Sequence, residues 1–272
     1  MDNSIPVALT IAGSDSSGGS GIQADLKTFQ MFGVYGCSAL TCVTAQNTQE
    51  ITSCQCLPTK LLQDQLEAIL TDIEPSALKS GMLGTAALVQ VAVDVISGSQ
   101  LENYVLDPVI VSTSGHPLLD DEGCELLRDK LIPLATIVTP NLQEARKLTG
   151  YDIASPEELK VAGREFLRMG ASAVLMKGGH FKGGTAVDLL LTDKLEELWS
   201  RPLLATTAGH GTGCTLSAAL AAELAKGTGI YDATDKAISF VNRALATSPM
   251  LGKGSSPINH FVDVDHKSPD SE

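Results

Sequence analysis

Gly209-His210-Gly211-Thr212-Gly213-Cys214-Thr215 runs without a break into Leu216-Ser217-Ala218-Ala219-Leu220-Ala221-Ala222-Glu223-Leu224-Ala225-Lys226-Gly227. Alanine and leucine in the second half predict a helix, and Gly227 is placed to stop it. The glycines of the first half let the backbone approach a ligand closely. The first N–H groups of a helix lack internal partners, and with the positive end of the helix dipole they favour a bound anion. The same field favours a thiolate, so Cys214 is expected to have a lowered pKa. An anion cradle and an activated thiol on one turn point to phosphate chemistry with Cys214 as general base. A Gly-rich loop before a helix is also a common tight connection, and a free cysteine is more often a small buried hydrophobe. The rest of the chain decides between these readings.

Upstream, a strand-length apolar run repeatedly ends in polar or glycine residues, as in an α/β sheet that binds ligands at the carboxyl ends of its strands. Ile5–Ala12 ends in a Gly/Ser loop, Gly13 to Gly21, and a helical pattern over Ile22–Phe32 follows. That loop matches neither the P-loop nor the dinucleotide fingerprint. Its glycines would let a substrate lie against the backbone, with Asp25 one turn into the helix as an acceptor. Tyr35–Val43 leads to Thr44-Ala45-Gln46-Asn47-Thr48, where Gln46 can both donate to and accept from a heterocycle edge. A loop amide bonded to nearby backbone is the alternative there. Asp107 closes the run Tyr104–Leu106, a position suited to a magnesium-water ligand. Asn141 and Glu144 stand one helical turn apart at the next strand end. They can face one ligand, form a capping box, or do both. Lys177 closes a further run before Gly178-Gly179-His180, where an ammonium can meet phosphate oxygens. Helices are also expected over 59–72, 85–97, 117–131, 155–169 and 231–246, with antiparallel strands over 186–193 and 195–206.

The protein has 272 residues, 43% of them hydrophobic, with 25 glycines and 4% aromatics, so the core should be aliphatic. A net charge of −13 argues against a nucleic-acid or anionic-membrane surface. An acidic chain that binds a polyphosphate must neutralise it locally, with helix N-termini, a placed lysine and a divalent metal. The first apolar run is too short to span a membrane and lacks signal-peptide flanks, which suggests a cytoplasmic protein. Six cysteines with no extracellular context do not suggest a disulfide framework. Cys54-x-Cys56 has no second Cys/His pair at matching spacing, so strand alternation explains it better than structural zinc. No linker, repeat or low-complexity block divides the chain, so one domain over 1–262 is expected, with a disordered tail over 263–272.

Taken together, these stretches resemble the hydroxymethylpyrimidine kinase/phosphomethylpyrimidine kinase family of thiamine biosynthesis, within the ribokinase-like superfamily. The resemblance covers about Val7 to Phe261 and rests on seven stretches in order. They are Thr10–Lys27, Thr44–Thr48, Gly81–Leu83, Asp107–Val109, Thr139–Glu144, Met176–His180 and His210–Thr215. It implies an α/β, ribokinase-like fold with an open, mostly parallel sheet and helices on both faces. It also implies ATP- and Mg2+-dependent phosphorylation of 4-amino-5-hydroxymethyl-2-methylpyrimidine and then of its monophosphate, in a cytoplasmic homodimer. By matching position, Gly13, Asp25, Gln46 and Met82 would hold the pyrimidine. Asn141, Glu144, Lys177 and His210 would serve the nucleotide, and Asp107 and Glu144 the magnesium. Gly211, Thr212 and Gly213 would form the anion hole, with Cys214 as base and Lys177 neutralising charge. Relatives commonly read Asn-Thr-His where this chain has Ala208-Gly209-His210, so a threonine hydroxyl near the phosphates is missing. A pyridoxal or pyridoxine kinase of the same subfamily is the nearest alternative, which Gln46-Asn47 argues against. A non-catalytic pyrimidine sensor would have lost the base or metal groups, and this chain keeps them.

Overall fold

The N-terminal apolar run forms β1 (Val7–Asp15), buried along nearly its whole length. A strand covered on both faces reads as a continuous apolar run, the mark of a parallel sheet between two helical layers. A computed structural model describes residues 5–99, 101–112, 115, 117–181, 185–204, 206 and 208–264, apart from the side chains of 179–181. The further strands are β2 (Tyr35–Gln46), β3 (Ile51–Cys56), β4 (Ala77–Ser80), β5 (Tyr104–Leu106), β6 (Ile137–Val138), β7 (Ala173–Phe181), β8 (Thr185–Thr192) and β9 (Glu196–Pro202). Among the described residues they make one nine-stranded sheet in the order β3-β2-β1-β4-β5-β6-β7-β8-β9. The six from β2 to β7 run parallel. Antiparallel β3 closes one edge, and β8 and β9 extend the other.

The helices are α1 (Gly21–Met31), α2 (Thr59–Leu70), α3 (Ala86–Gly98), α4 (Asp121–Leu126), α5 (Leu142–Thr149), α6 (Pro156–Arg168), α7 (Thr212–Ala225) and α8 (Ile230–Ala246). Alternate strand residues feed two cores. Leu9, Ile11, Leu106 and Val138 pack with α2, α3, α5 and α6 on one face. Ala8, Val105 and Ile137 pack with α1, α7 and α8 on the other. Helix α7 is buried from Thr215 to Leu224, which explains its Ala/Leu composition all round. Its one buried carboxylate, Glu223, is paired with Lys226 and Lys236.

From β1 the chain crosses through α1 to β2 on one side, while β4 takes the other flank. That reversal opens a crevice at the carboxyl ends of β1 and β4, the usual ligand position in such sheets. The expected helix over 117–131 is shorter: α4 gives way to a π-helical turn at Leu127–Leu131 and a 3-10 turn at Ile132–Leu134, where Pro133 has no N–H to continue it. Of the expected disordered tail, residues 265–272 lie outside the described residues. Its start is held, since the Arg243 guanidinium donates to Asp263 O (3.0 Å) and Val264 O (3.2 Å).

Candidate active site

The loop after β1 is organised by Asp15. One carboxylate oxygen accepts from Ser17 N and Oγ, and the other from Gly19 N, Ser20 N and Ser20 Oγ. That second oxygen also lies 2.7 Å from His210 Nε2. Burial works against this charge, but the hydrogen bonds from His210, Ser17 and Ser20 outweigh it and hold the carboxyl far below its usual range. The first Gly/Ser loop is thereby pinned to the glycine turn before α7, 195 residues away in sequence. His210, expected among the nucleotide groups, borders the cleft but commits its Nε2 to this clamp.

Gly211 is the N-cap of α7 and has a left-handed backbone, φ 85°. A β-carbon there would collide with Gly19 O, so both the conformation and the packing require glycine. The amides that open α7 face a cleft of about 620 Å³, with Thr212, Gly213 and Cys214 on its wall. Gly209 is different: a β-carbon there would meet only Ser255 Oγ, at 3.8 Å, so packing does not demand glycine.

Across the cleft, β5 ends at Asp107, α5 starts at Asn141, and β7 carries Lys177. Lys177 Nζ lies 3.0 Å from Asp107 Oδ1 and 4.0 Å from Glu144 Oε2. Asp107 also accepts from Thr139 Oγ1 (3.3 Å) and Ser217 Oγ (3.2 Å). Burial opposes the charge on Lys177, but the Asp107 and Glu144 carboxylates hold its ammonium above the ordinary lysine range. Burial raises the Glu144 carboxyl against the pull of Lys177. The capping box is complete: Asn141 Oδ1 accepts from Gln143 N and Glu144 N, and Glu144 Oε2 accepts from Asn141 N. Capping leaves the Asn141 amide nitrogen for other partners, while the Ile110 backbone also hydrogen-bonds the Glu144 carboxylate, so a capping role and a ligand role are compatible.

Gly13, Gln46 and Met82 line the same cleft at the ends of β1, β2 and β4. Every residue singled out from the sequence therefore borders one cleft, except Asp25. Asp25 was expected to accept from substrate, but its side chain is fully buried on the inward face of α1. Both its oxygens lie 2.8 Å from Lys79 Nζ, and Oδ2 accepts from Thr10 Oγ1 at 2.6 Å. Its apolar neighbours in the helix turn that face to the sheet, which takes Asp25 beneath the site rather than into it.

The expectation of a lowered Cys214 pKa is also corrected. Burial pushes this thiol up to about 11, the nearby Lys79 ammonium pulls it down, and the Asp25 and Asp107 carboxylates push it further up. The helix-dipole argument considered the turn alone, whereas the two carboxylates arrive from β5 and α1.

Sequence reasoning passed over four side chains that hold the site. Asp15 carried a signal, since Asp followed by serines is a turn-forming pattern. Lys79 carried a weaker one, a lysine inside an apolar strand. Ser217 on Asp107 and His260 on Thr215 (3.0 Å) carried none, because their partners are 110 and 45 residues away.

A family model for phosphomethylpyrimidine kinase matches residues 15–259. The hydroxymethylpyrimidine/phosphomethylpyrimidine kinase of Haemophilus influenzae is 41% identical over 264 residues, 96% of this chain and 98% of that one. Among solved structures, Bacillus subtilis pyridoxal kinase in complex with ADP superposes with a TM-score of 0.87 at 39% identity, covering 94% of this chain and 98% of that one. Phosphomethylpyrimidine kinase from Clostridium difficile gives 0.79 at 41% identity, covering 88% and 99%. With the model spanning nearly the whole cleft-bearing sheet and relatives of such identity over full length, the chain belongs to the phosphomethylpyrimidine kinase family.

Proposed function

We propose that this kinase transfers the γ-phosphoryl group of ATP to the hydroxymethyl oxygen of 4-amino-5-hydroxymethyl-2-methylpyrimidine, and then a second phosphoryl group to the monophosphate. The observation that carries the reading is the meeting, in one cleft, of the glycine turn 211–214 with the Lys177–Asp107–Glu144 cluster and the Gly13, Gln46 and Met82 wall. The transition state of phosphoryl transfer is loose, so positioning and charge neutralisation matter most. The amides opening α7 would meet the oxygens of the transferring group, and Lys177 would meet the nucleotide phosphates. As the hydroxymethyl oxygen bonds to Pγ and the bond from Pγ to ADP breaks, the hydroxyl proton passes to Cys214 in its thiolate form, a small fraction at neutral pH because the thiol is pushed up to about 11. The Gln46 amide can pair with the amino group and ring nitrogen of the pyrimidine, while Met82 supplies an apolar contact. The hard oxygen donors Asp107 and Glu144 fit Mg2+, each with hydrogen bonds already in place, as expected of carboxylates that hold a hydrated ion through its waters. When bound, Mg2+ would neutralise phosphate charge. A homodimer, on the family resemblance, and a cytoplasmic location, on the short N-terminal apolar run without signal-peptide flanks, complete the reading.

The likeness to the ADP-bound pyridoxal kinase of Bacillus subtilis favours a second reading, phosphorylation of pyridoxal, which also carries a hydroxymethyl group on a heteroaromatic ring. ADP release with ATP and Mg2+ separates the two. Turnover of both pyrimidines that collapses in Cys214→Ala supports the main reading, and turnover of pyridoxal alone overturns it. No turnover of any of the three leaves a non-catalytic binding protein.

A further inference from the structure

Away from the nucleotide cleft, the pairing of β2 with β3 gathers three thiols on one face of the sheet edge. The antiparallel register sets Cys42 opposite Cys56 and Thr44 opposite Cys54. Leu57 N donates to Thr41 O, so Thr41 and Leu57 form the hydrogen-bonded pair and Cys42 and Cys56 the next, non-hydrogen-bonded pair. Side chains approach most closely in pairs of that kind. Residues two apart on β3 share a face, so Cys54 joins the pair from the same side. The Sγ atoms of Cys42 and Cys56 are 2.8 Å apart, and all three sulfurs lie within 4.8 Å of one another. Among the described residues, no other group of three His, Cys, Asp or Glu side chains converges in this way.

We propose that Cys42, Cys54 and Cys56 form a binding site for a thiophilic divalent cation of the zinc type, bound through three thiolates and one water. Three sulfurs about 2.3 Å from one ion in tetrahedral geometry stand about 3.8 Å apart. The Cys42–Cys56 separation is about 1 Å shorter than that value and no pair exceeds 4.8 Å, a mismatch small enough for side-chain rotation to take up. Three soft sulfur donors with no oxygen or imidazole select a thiophilic ion over magnesium. The chemistry balances without a redox step: the cation replaces three thiol protons, which are released to solvent.

Two further features belong to a built site. Gly84, with φ 85°, packs over the sulfurs; a β-carbon on it would lie 2.5 Å from Cys42 Sγ and 2.7 Å from Cys56 Sγ. Any larger residue would close the space that the thiols share. The start of α3 lies next to Gly84, but its first amide, Ala86 N, is already taken by the Asp120 carboxylate at 3.2 Å. That amide is thus not available to the thiolates, and a cation would supply the neutralising charge. Access is also present, since Cys42 is buried, Cys56 half-buried and Cys54 exposed. The spacing Cys54-x-Cys56 alone argued against metal because no second pair follows it. The third ligand comes from 12 residues upstream, through strand register rather than sequence spacing. An ion there would tie edge strand β3 to β2, whose connection over 47–50 borders the nucleotide cleft.

The test uses the full-length reduced protein and Cd2+ as probe, read by its thiolate charge-transfer absorption, with bound Zn2+ measured by elemental analysis. The expected result is one Cd2+ per chain with the absorption of three Cd–S bonds, formed also by displacing Zn2+ from the zinc-loaded protein. Loss of one ligand in Cys54→Ser should weaken binding about 100-fold, at least the upper range seen when only an outer-shell partner is lost. Cys54 is exposed on the edge strand, so this variant keeps the core intact, and circular dichroism confirms its fold. Cys214→Ser should bind Cd2+ as the parent does. Absorption that persists undiminished in Cys54→Ser overturns the proposal, as does the absence of uptake by the folded parent. Formation of a Cys42–Cys56 disulfide in air that Zn2+ does not suppress overturns it too.

Discussion

Replacing Lys79 by Met tests whether Asp25 holds substrate or holds the fold. Both side chains are fully inaccessible, and Nζ sits 2.8 Å from each carboxylate oxygen. Burial opposes the ammonium, but this carboxylate keeps it charged, with its pKa above the ordinary lysine range. In Lys79→Met the Asp25 carboxylate keeps one strong partner, the Thr10 hydroxyl at 2.6 Å. Removing one member of a buried pair costs about 3–5 kcal/mol, because the other charge is left uncompensated. Replacing both members by apolar groups of similar volume is often neutral. Asp25→Leu/Lys79→Met is therefore expected within about 1 kcal/mol of the parent, with a coupling of about 3 kcal/mol or more between the sites. For a chain of this length the single variant should melt roughly 10 °C lower. Urea unfolding of the parent, both single variants and the double variant closes the cycle. KM for the pyrimidine, measured on the same four proteins well below their melting temperatures, supplies the second readout. A Lys79→Met variant within 1 kcal/mol of the parent, or an Asp25→Leu variant with unchanged stability and a large rise in KM, would refute this reasoning.

Cys214, with its thiol pushed up to about 11, should react slowly with iodoacetamide at neutral pH, its rate rising about tenfold per pH unit between pH 7 and 10. Peptide mass spectrometry reads the rate, and a plateau by pH 8 would restore the lowered value expected from the helix terminus alone. His260 is buried against Thr215, and burial lowers its pKa from 6.5 to about 4. Between those values the unfolded chain takes up a proton that the folded chain refuses. Stability should therefore fall as pH drops from 6.5 to 4, by about 3 kcal/mol for a shift of this size. His260→Gln should remove that part of the pH dependence in urea unfolding at pH 7 and pH 4.5, and an unchanged slope rejects the assignment.

Much of the cleft was legible because its parts sit at strand ends, where an apolar run gives way to a glycine or polar residue. Gly13, Gln46, Asp107, Asn141, Lys177 and the 211–214 turn were each found in this way, and each borders the cleft. Asp25 misled because helical spacing reports a turn but not the face that packs inward. The full range of β1 was missed for a related reason: Gly13 and Ser14 read as loop, yet pairing with β2 continues to Asp15, past an irregularity between Ala12 and Ser14.

By itself the sequence determined the alternation of strands and helices, the aliphatic core, the glycine turn that opens α7 and the family, since all of these are written in local patterns of a few to a dozen residues. Tertiary structure alone decided which polar side chains meet. Asp15 met His210, Asp25 met Lys79, Asp107 met Ser217, and Cys42 met Cys56 across strand or helix contacts that no local spacing encodes. It decided the state of Cys214 too, because a pKa depends on every charge and every loss of solvent around a group. Those neighbours are assembled only when the sheet closes over α7.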